Sequence, residues 1–267
     1  MPAAPERLRW PAEAIWQAVE PLWPGFTVEV LPEIDSTNTE LMRRCRAGRL
    51  EPVLLVAEHQ SAGRGRLGRS WVSSPGASLT FSLGLPMRPP DWACLSLAVG
   101  VSVAERLAAL GVAGLALKWP NDLWLGAAKL GGILIETASM GAQRYAVVGV
   151  GLNVRKPDLP QPQPAAGSVP LVPAAGLQSV LKLNAPQVLG QVVPALMQDV
   201  RHFEREGWPA FARRFAALDG LAGRRVLLSD GREGLACGLG AGGALRLQTV
   251  DGLIEVVSGE VSVRPQD

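Results

Sequence analysis

The sequence contains little of what is typical of a disulfide-bonded, metal-binding, membrane or nucleic-acid-binding protein. Its three cysteines, Cys45, Cys94 and Cys237, lie far apart and show no CxxC spacing, which predicts reduced thiols in a cytoplasmic protein. The formal net charge of +2 is too small to indicate a nucleic-acid partner. The uncharged run at 92–104 is too short to span a bilayer, and the longer run at 159–181 contains five prolines, so we expect no membrane segment.

What is present is an ordinary globular composition. Apolar residues make up 48% and charged residues 19% of the 267 positions, which suffices for a large domain with a smaller one. Predicted strands and helices mix without strict alternation, which favours an α+β fold built on a mixed sheet. Thr37 and Glu40 have capping-box spacing at the start of one helix. Strands are predicted at 26–31, 52–57, 78–85, 115–119, 130–137 and 145–152, and helices at 11–20, from 37, at 91–110 and within 185–217.

The pattern changes near residue 221. Short apolar runs are separated there by turn signals at 230–231, 242–243, 251–252 and 258–259, which is typical of a small antiparallel β barrel. We therefore predict a catalytic domain over residues 1–219 and a small β domain over residues 220–267. Acidic and basic residues balance in the second domain, so no nucleic-acid-binding face is indicated.

Residues 63–69 read GRGRLGR. No helix start follows, as a dinucleotide-binding loop requires, and no Gly-Lys-Ser/Thr closes a Walker loop. The pattern predicts a flexible loop without regular structure, whose glycines allow close backbone approach and whose three arginines pair with phosphate or carboxylate. The alternative is a solvated basic turn.

Residues 118–123 read KWPNDL. Pro120 lacks the N–H that a strand needs, so the strand through Lys118 should end there. Asn121 and Asp122 would then lie at the end of the strand, where a carboxylate could meet a metal-bound phosphate. An ordinary turn is the alternative.

Residues 129–136 read KLGGILIE, so that a lysine leads through two glycines into an apolar strand. The chain has only four lysines among its 26 basic residues, and Lys118 and Lys129 fall in adjacent motifs. This pattern indicates that a compact ammonium group is required at both positions. A surface lysine beside a strand is the alternative.

Residues 147–154 read VVGVGLNV. Gly149 and Gly151 alternate on one face of the predicted strand and would leave room there for a flat apolar ligand. Asn153 could bind an adenine edge or cap a turn.

Together, these four motifs in this order resemble the biotin–protein ligase family. Its hallmarks are a mobile GRGRxGR-type loop, a KWPND motif, a KLxGIL motif and a GxGxN strand, and all four stand here over about residues 30–155. The resemblance implies a mixed-sheet catalytic domain of the biotin/lipoate ligase type, followed by a small SH3-like C-terminal β barrel.

The resemblance also implies residue roles. Catalysis would fall to Lys129, Arg66 and Asp122, with Asp122 near Mg²⁺ and the incoming lysine. Biotin would be bound by Ser36, Thr37, Asn38, Gln60, Arg64, Gly65, Arg66, Ser82, Lys129, Gly132, Ile133 and Gly151. ATP and the adenylate would be bound by Arg64, Arg66, Arg69, Trp71, Lys118, Asn121, Asp122, Lys129 and Asn153, with Trp71 stacked on adenine.

The implied reaction uses ATP, Mg²⁺ and biotin. Biotinyl-5′-AMP forms first, and biotin then passes to the lysine of a biotin carboxyl carrier domain of a carboxylase, in the cytoplasm and in an enzyme that could pair into a homodimer. Only about 35 residues precede Ser36, too few for a winged DNA-binding domain, so no repressor activity is expected. One alternative is a lipoate or octanoate–protein ligase, whose usual loop pattern differs from GRGRLGR. The other is a non-catalytic sensor of biotin or its adenylate.

Overall fold

The computed structural model describes residues 8–158, 173–257 and 263–266. Its helices are α1 (Ala12–Val19), α2 (Thr37–Arg46), α3 (Leu95–Ala109), α4 (Ala185–Glu206) and α5 (Pro209–Ala216). Its strands are β1 (Thr27–Ile34), β2 (Val53–Gln60), β3 (Ser78–Pro86), β4 (Leu115–Lys118), β5 (Asp122–Leu125), β6 (Ala128–Met140), β7 (Gln143–Asn153), β8 (Arg225–Leu228), β9 (Glu233–Leu239), β10 (Leu245–Thr249), β11 (Gly252–Val256) and β12 (Val263–Pro265).

The larger sheet has seven strands in the order β1-β2-β3-β7-β6-β5-β4. Strands β1 and β2 run parallel, because α2 connects them, and the other neighbours run antiparallel. The sheet is therefore mixed, and the predicted α+β mixed-sheet class is confirmed.

The two faces of this sheet are covered unequally. Helix α3 is apolar almost all round and contacts both α4 and the sheet, which together enclose the main hydrophobic core. The opposite face carries only α2, whose Leu41, Met42 and Cys45 pack on a small second core with Leu55 and Val147. Because α2 has only ten residues, part of that face stays open beside it.

The second sheet has five antiparallel strands in the order β11-β10-β9-β8-β12, as expected of an SH3-like domain. It is joined to the first half of the molecule at the end of β4. The Trp119 indole N–H donates to the carbonyl of Gly243, between β9 and β10, at 3.1 Å. Leu117 N donates at 2.7 Å to Leu218 O in the segment that leads from α5 to β8. The two parts share the main core, and the exact domain boundary near residue 219 stays a prediction.

Several predicted elements differ in detail from the structure. The N-cap of α2 is Ser36, whose hydroxyl accepts from Thr39 N at 3.4 Å, so the capping box that starts at Thr37 is wrong. Helix α3 begins at Leu95 rather than 91, because Cys94 adopts a left-handed conformation with φ 67°. Strand β5 was not predicted at all. The turn signal at 258–259 and most of the proline-rich loop lie outside the described residues.

No helix within the described ranges is both long and apolar enough to cross a membrane.

Candidate active site

An open cavity lies on the sheet face that α2 leaves uncovered. Its lining includes Gly132, Gly149 and Gly151 of β6 and β7. The cavity brings together most residues singled out from the sequence, namely Ser36, Thr37, Asn38, Gln60, Arg64, Gly65, Arg66, Arg69, Trp71, Lys118, Asn121, Asp122, Lys129, Gly132, Ile133 and Gly151.

Two predicted residues lie behind the wall instead of lining it. Ser82 is fully buried, and its hydroxyl oxygen lies 2.7 Å from Thr37 Oγ1 and 2.6 Å from Asn38 Oδ1. Asn153 is 5% exposed and donates from Nδ2 to the carbonyl of Lys129 at 3.4 Å. Both support lining residues from behind, and their direct contact with a ligand stays a prediction.

One end of the cavity, which we call the neutral end, presents uncharged hydrogen-bonding groups, and the Arg64 and Glu136 side chains beside them form an ion pair. Thr37 donates from both its backbone N–H and its hydroxyl to Gln60 Oε1, at 2.8 and 3.1 Å. Asn38 donates from Nδ2 to Leu134 O at 3.2 Å and to Glu136 Oε2 at 2.9 Å. These bonds fix the orientation of the amide and hydroxyl groups, so this end can recognise a neutral polar ring.

The other end is charged. The turn at Pro120 closes a β4–β5 hairpin in which Lys118 lies opposite Asp122, and Asp122 in turn lies opposite Gly132 of β6. This register sets Asp122 between two ammonium groups: Lys129 Nζ is 2.7 Å from Oδ1 and Lys118 Nζ is 3.9 Å from Oδ2. Strand pairing thus converts two sequence motifs into one cationic site suited to phosphate.

Burial changes the chemistry of Lys118. Its ammonium lies over the Trp124 ring, 5.2 Å from the centroid, and the residue is 8% exposed. Burial lowers its pKa from 10.5 to about 8; Asp122 opposes that change, and the nearby Lys129 adds to it. Because burial makes the charged form of Lys118 costly, an anion that binds beside it stabilises that charged form strongly.

Replacing Lys118 by methionine should stabilise the fold at neutral pH while impairing the site. The folded protein binds fewer protons than the unfolded chain between pH 8 and 10.5, so wild-type stability rises with pH through that window. The variant lacks this slope. We expect the free energy of unfolding at pH 7 to rise by about 1–3 kcal/mol, and the gain to shrink by pH 10.

Urea denaturation at both pH values measures this effect. The exposed residue Lys182 provides the control, because its replacement by methionine removes a solvated ammonium and should change little. Equal gains for Lys118→Met at pH 7 and pH 10 would contradict the assignment of the cost to a buried charge.

Residues 63–71 form a hairpin over the cavity, which we call the lid hairpin. Trp71 N donates to Gly63 O at 2.9 Å, Gly65 N donates to Arg69 O at 2.7 Å, and a single 3₁₀ turn at Arg66–Gly68 closes the tip. Apart from this 3₁₀ turn and one isolated bridge between Arg64 and Ser70, residues 63–71 contain no helix or strand, so the predicted lack of regular structure is confirmed, and the flexibility of the loop stays a prediction. Gly63 permits the close approach of the two arms, since a β-carbon there would overlap the Trp71 carbonyl.

The lid hairpin presents its arginines to both ends of the cavity. Burial lowers the pKa of Arg66, the Asp122 carboxylate opposes that change, and Arg69 adds to it. Arg66 therefore lies close enough to the charged end to interact with Asp122. Arg64 instead pairs with Glu136 at the neutral end, 3.1 Å from Oε1.

The open space predicted above Gly149 and Gly151 is filled by the protein's own side chains. A β-carbon at Gly149 would overlap Asn38 Oδ1, and one at Gly151 would lie 2.5 Å from Trp71 Cε2. The glycines therefore make room for Asn38 and Trp71. The buried Trp71 Nε1 has no hydrogen-bond partner within the described residues.

Sequence reasoning missed several residues of the site. Thr80, Phe81 and Trp119 line the cavity but read as ordinary strand positions, and Val263 comes from β12 of the second sheet. Glu136 is the last residue of the 129–136 motif, and its position directly after an apolar run could have identified it as a candidate.

The fold and the cavity are those of a ligase of the biotin and lipoate type. The sequence model of the "Biotin/lipoate A/B protein ligase family" matches residues 30–153. The chain is 36% identical over 248 residues to the "Bifunctional ligase/repressor BirA" of Escherichia coli, covering 90% of this chain and 75% of the relative. The chain therefore belongs to this family. It is also 30% identical to the "Biotin--[acetyl-CoA-carboxylase] ligase" of Paracoccus denitrificans, covering 87% of this chain and 98% of the relative.

Solved structures agree with this assignment. The structure titled "Biotin protein ligase from Aquifex aeolicus in complex with biotin and ATP" superposes with a TM-score of 0.74 and 28% identity, covering 90% of this chain and 99% of that one. This similarity over nine-tenths of the chain confirms the fold predicted from the resemblance.

Proposed function

We propose that this chain is an ATP-dependent biotin–protein ligase. The observation that carries the proposal is one continuous cavity with a neutral end at Thr37 and Asn38 and a cationic end at Lys118 and Lys129. A neutral ring system with a carboxylate tail fits both ends, and a nucleotide phosphate fits the second. The Paracoccus relative carries this activity in its name, and the Aquifex structure binds biotin and ATP.

In the first step, the biotin carboxylate attacks the α-phosphorus of ATP. The bond from that phosphorus to the bridging oxygen breaks, which gives biotinyl-5′-AMP and pyrophosphate. Lys129, with Arg66 and Arg69 of the lid hairpin, offsets the negative charge that develops on phosphate oxygens. The lid hairpin keeps water from the reactive mixed anhydride.

The residues present are compatible with Mg²⁺ that enters with ATP. Magnesium needs only one or two protein carboxylates, together with water and substrate phosphates. Asp122 is the only carboxylate among the described residues that line the cavity, and its Oδ1 is paired with Lys129. Asp122 is the residue that would hold the ion, and bound Mg²⁺ would neutralise phosphate charge.

In the second step, the neutral amine of an acceptor lysine attacks the carbonyl carbon of the anhydride. An amide forms and AMP leaves. Asp122 is the residue that we propose to orient this amine and accept its proton. The acceptor is the carrier domain of a carboxylase, in keeping with the name of the Paracoccus relative.

Pyrophosphate release with MgATP tests the function. Biotin, lipoate and octanoate are compared as substrates, with a biotin carboxyl carrier domain present. We expect release with biotin alone and label on the carrier lysine. Release with lipoate or octanoate instead would move the enzyme to the other branch of its family, and tight biotin binding without release would indicate a sensor.

Gly149→Ala should weaken biotin binding without unfolding the protein. The added methyl group displaces the Asn38 amide, which breaks its orientation toward Leu134 and Ser82. We expect KM for biotin to rise about tenfold, the size of one misplaced polar contact. Gly242→Ala serves as the control, because a β-carbon there meets nothing within 4 Å. An unchanged KM in Gly149→Ala would remove Asn38 from the biotin site.

Further properties follow as proposals from the reaction. We propose that the enzyme works in the cytoplasm, and its substrates require neither nucleic acid nor membrane. A homodimer stays a prediction, which sedimentation equilibrium would test.

A further inference from the structure

Glu136 connects the lid hairpin to the neutral end of the cavity. Its Oε2 accepts from Asn38 Nδ2 at 2.9 Å. The same carboxylate receives Arg64 Nη1 at 3.1 Å on Oε1 and 3.3 Å on Oε2. Arg64 also lies 3.4 Å from Thr39 Oγ1 on α2. One carboxylate thus holds a residue of the cavity wall and a residue of the lid.

Strand geometry explains why Glu136 occurs at this place. Side chains alternate along β6, so Glu136 shares a face with Gly132 and Leu134, both of which line the cavity. Four residues of a strand span about 13 Å. Because Lys129 Nζ lies near Gly132, the Arg64–Glu136 pair marks the opposite end of the cavity from the charged site.

The bonds to Asn38 distinguish this pair from an ordinary surface ion pair. The two Asn38 Nδ2 hydrogens are directed to Leu134 O and Glu136 Oε2, while Oδ1 lies 2.6 Å from the Ser82 hydroxyl. The Glu136 side chain is only 22% exposed, whereas Arg64 is 47% exposed. A carboxylate that is fixed from below therefore offers the lid arginine a defined docking point.

We propose that Glu136 is a positioning residue that orients Asn38 and fastens the lid hairpin, through Arg64, over the neutral end of the cavity. This inference rests on the proposed biotin ligase function. The lid arginines then have different roles, because Arg64 closes the end that takes the biotin ring and Arg66 serves the phosphate end.

Glu136→Gln tests the role, because glutamine keeps an acceptor for Asn38 but loses the charge that attracts Arg64. We expect KM for biotin in pyrophosphate release to rise about three- to fivefold, as is typical of a partly exposed ion pair, with kcat changed less than about twofold. Trypsin should also cleave faster within residues 63–71, while cleavage elsewhere keeps its rate.

A double-mutant cycle separates this contact from general destabilisation. If Glu136 acts through Arg64, Arg64→Ala/Glu136→Gln should be no worse than Arg64→Ala alone. The control is Glu255→Gln, which makes the same chemical change in the exposed Arg246–Glu255 pair, also 3.1 Å long. Wild-type KM and wild-type lid cleavage in Glu136→Gln, or multiplied effects in the double variant, would overturn the inference.

Failure of the proposed function has a different signature. In that case, the wild-type protein itself releases no pyrophosphate with biotin, lipoate or octanoate. The tryptic comparison needs no activity, so it decides the contact between Glu136 and the lid hairpin independently.

Discussion

Replacing Lys129 by alanine is expected to slow adenylate formation by about a hundred- to a thousandfold, the usual loss when a preorganised charge-stabilising group is removed. Lys129 Nζ lies 2.7 Å from Asp122 Oδ1, at the end of the cavity that also contains Lys118. The substitution removes a cation and leaves the Asp122 carboxylate less neutralised beside the incoming phosphate. Both changes disfavour the same transition state. Single-turnover pyrophosphate release at saturating biotin and ATP measures the effect.

Two variants test the specificity of this loss. Lys182→Ala removes another of the four lysines from an exposed position and should keep the wild-type rate. Lys129→Arg keeps the charge but changes its shape, so it should recover only part of the activity. Near-normal pyrophosphate release in Lys129→Ala would exclude Lys129 from the chemistry.

Arg66→Gly is expected to release the adenylate before transfer, with a rise of about tenfold or more in biotinylation of bystander proteins. Arg66 begins the 3₁₀ turn at the tip of the lid hairpin and lines the cavity near Asp122. The substitution removes a guanidinium that would pair with the adenylate phosphate, and glycine also loosens the hairpin backbone. Labelling of serum albumin with biotin and ATP, in the absence of a carrier domain, gives the readout.

A comparison with Arg66→Ala separates the two causes. Alanine removes the same charge without the backbone freedom of glycine. Equal labelling by both variants would assign the effect to the lost guanidinium, and stronger labelling by Arg66→Gly would add a contribution from the hairpin. Wild-type retention of the adenylate in both variants would contradict a lid function for Arg66.

Much of the fold follows from local pattern. The strand at 78–86 alternates apolar with small or polar residues, and the strand at 143–153 contains an uncharged, mainly apolar run at 145–152. Both lie centrally in the larger sheet, and such patterns can be recognised without tertiary information. Strand β5 has only four residues, and its pairing with β4 depends on a turn at Pro120. Too few residues alternate there for the sequence to reveal a strand.

The site was predictable in its residues but not in its arrangement. Two of the motifs identified these residues, one Lys118 and Asp122 and the other Lys129, whereas the placement of Asp122 between two ammonium groups results from strand register. The Arg64–Glu136 pair is a contact across 72 positions, and only the folded chain shows it. For the same reason, the sequence predicted open space above Gly151, whereas the Trp71 indole occupies that space in the structure.

The contribution of β12 to the cavity has a practical consequence for protein engineering. Val263 lines the cavity and pairs with Leu228, a buried residue of β8. Leu228 is remote in sequence from every motif that identified the site, yet its packing sets the position of a wall residue. A mutant library meant to alter substrate choice should therefore sample the β8–β12 pair, and a catalytic fragment trimmed of its second sheet would lose the wall residue Val263.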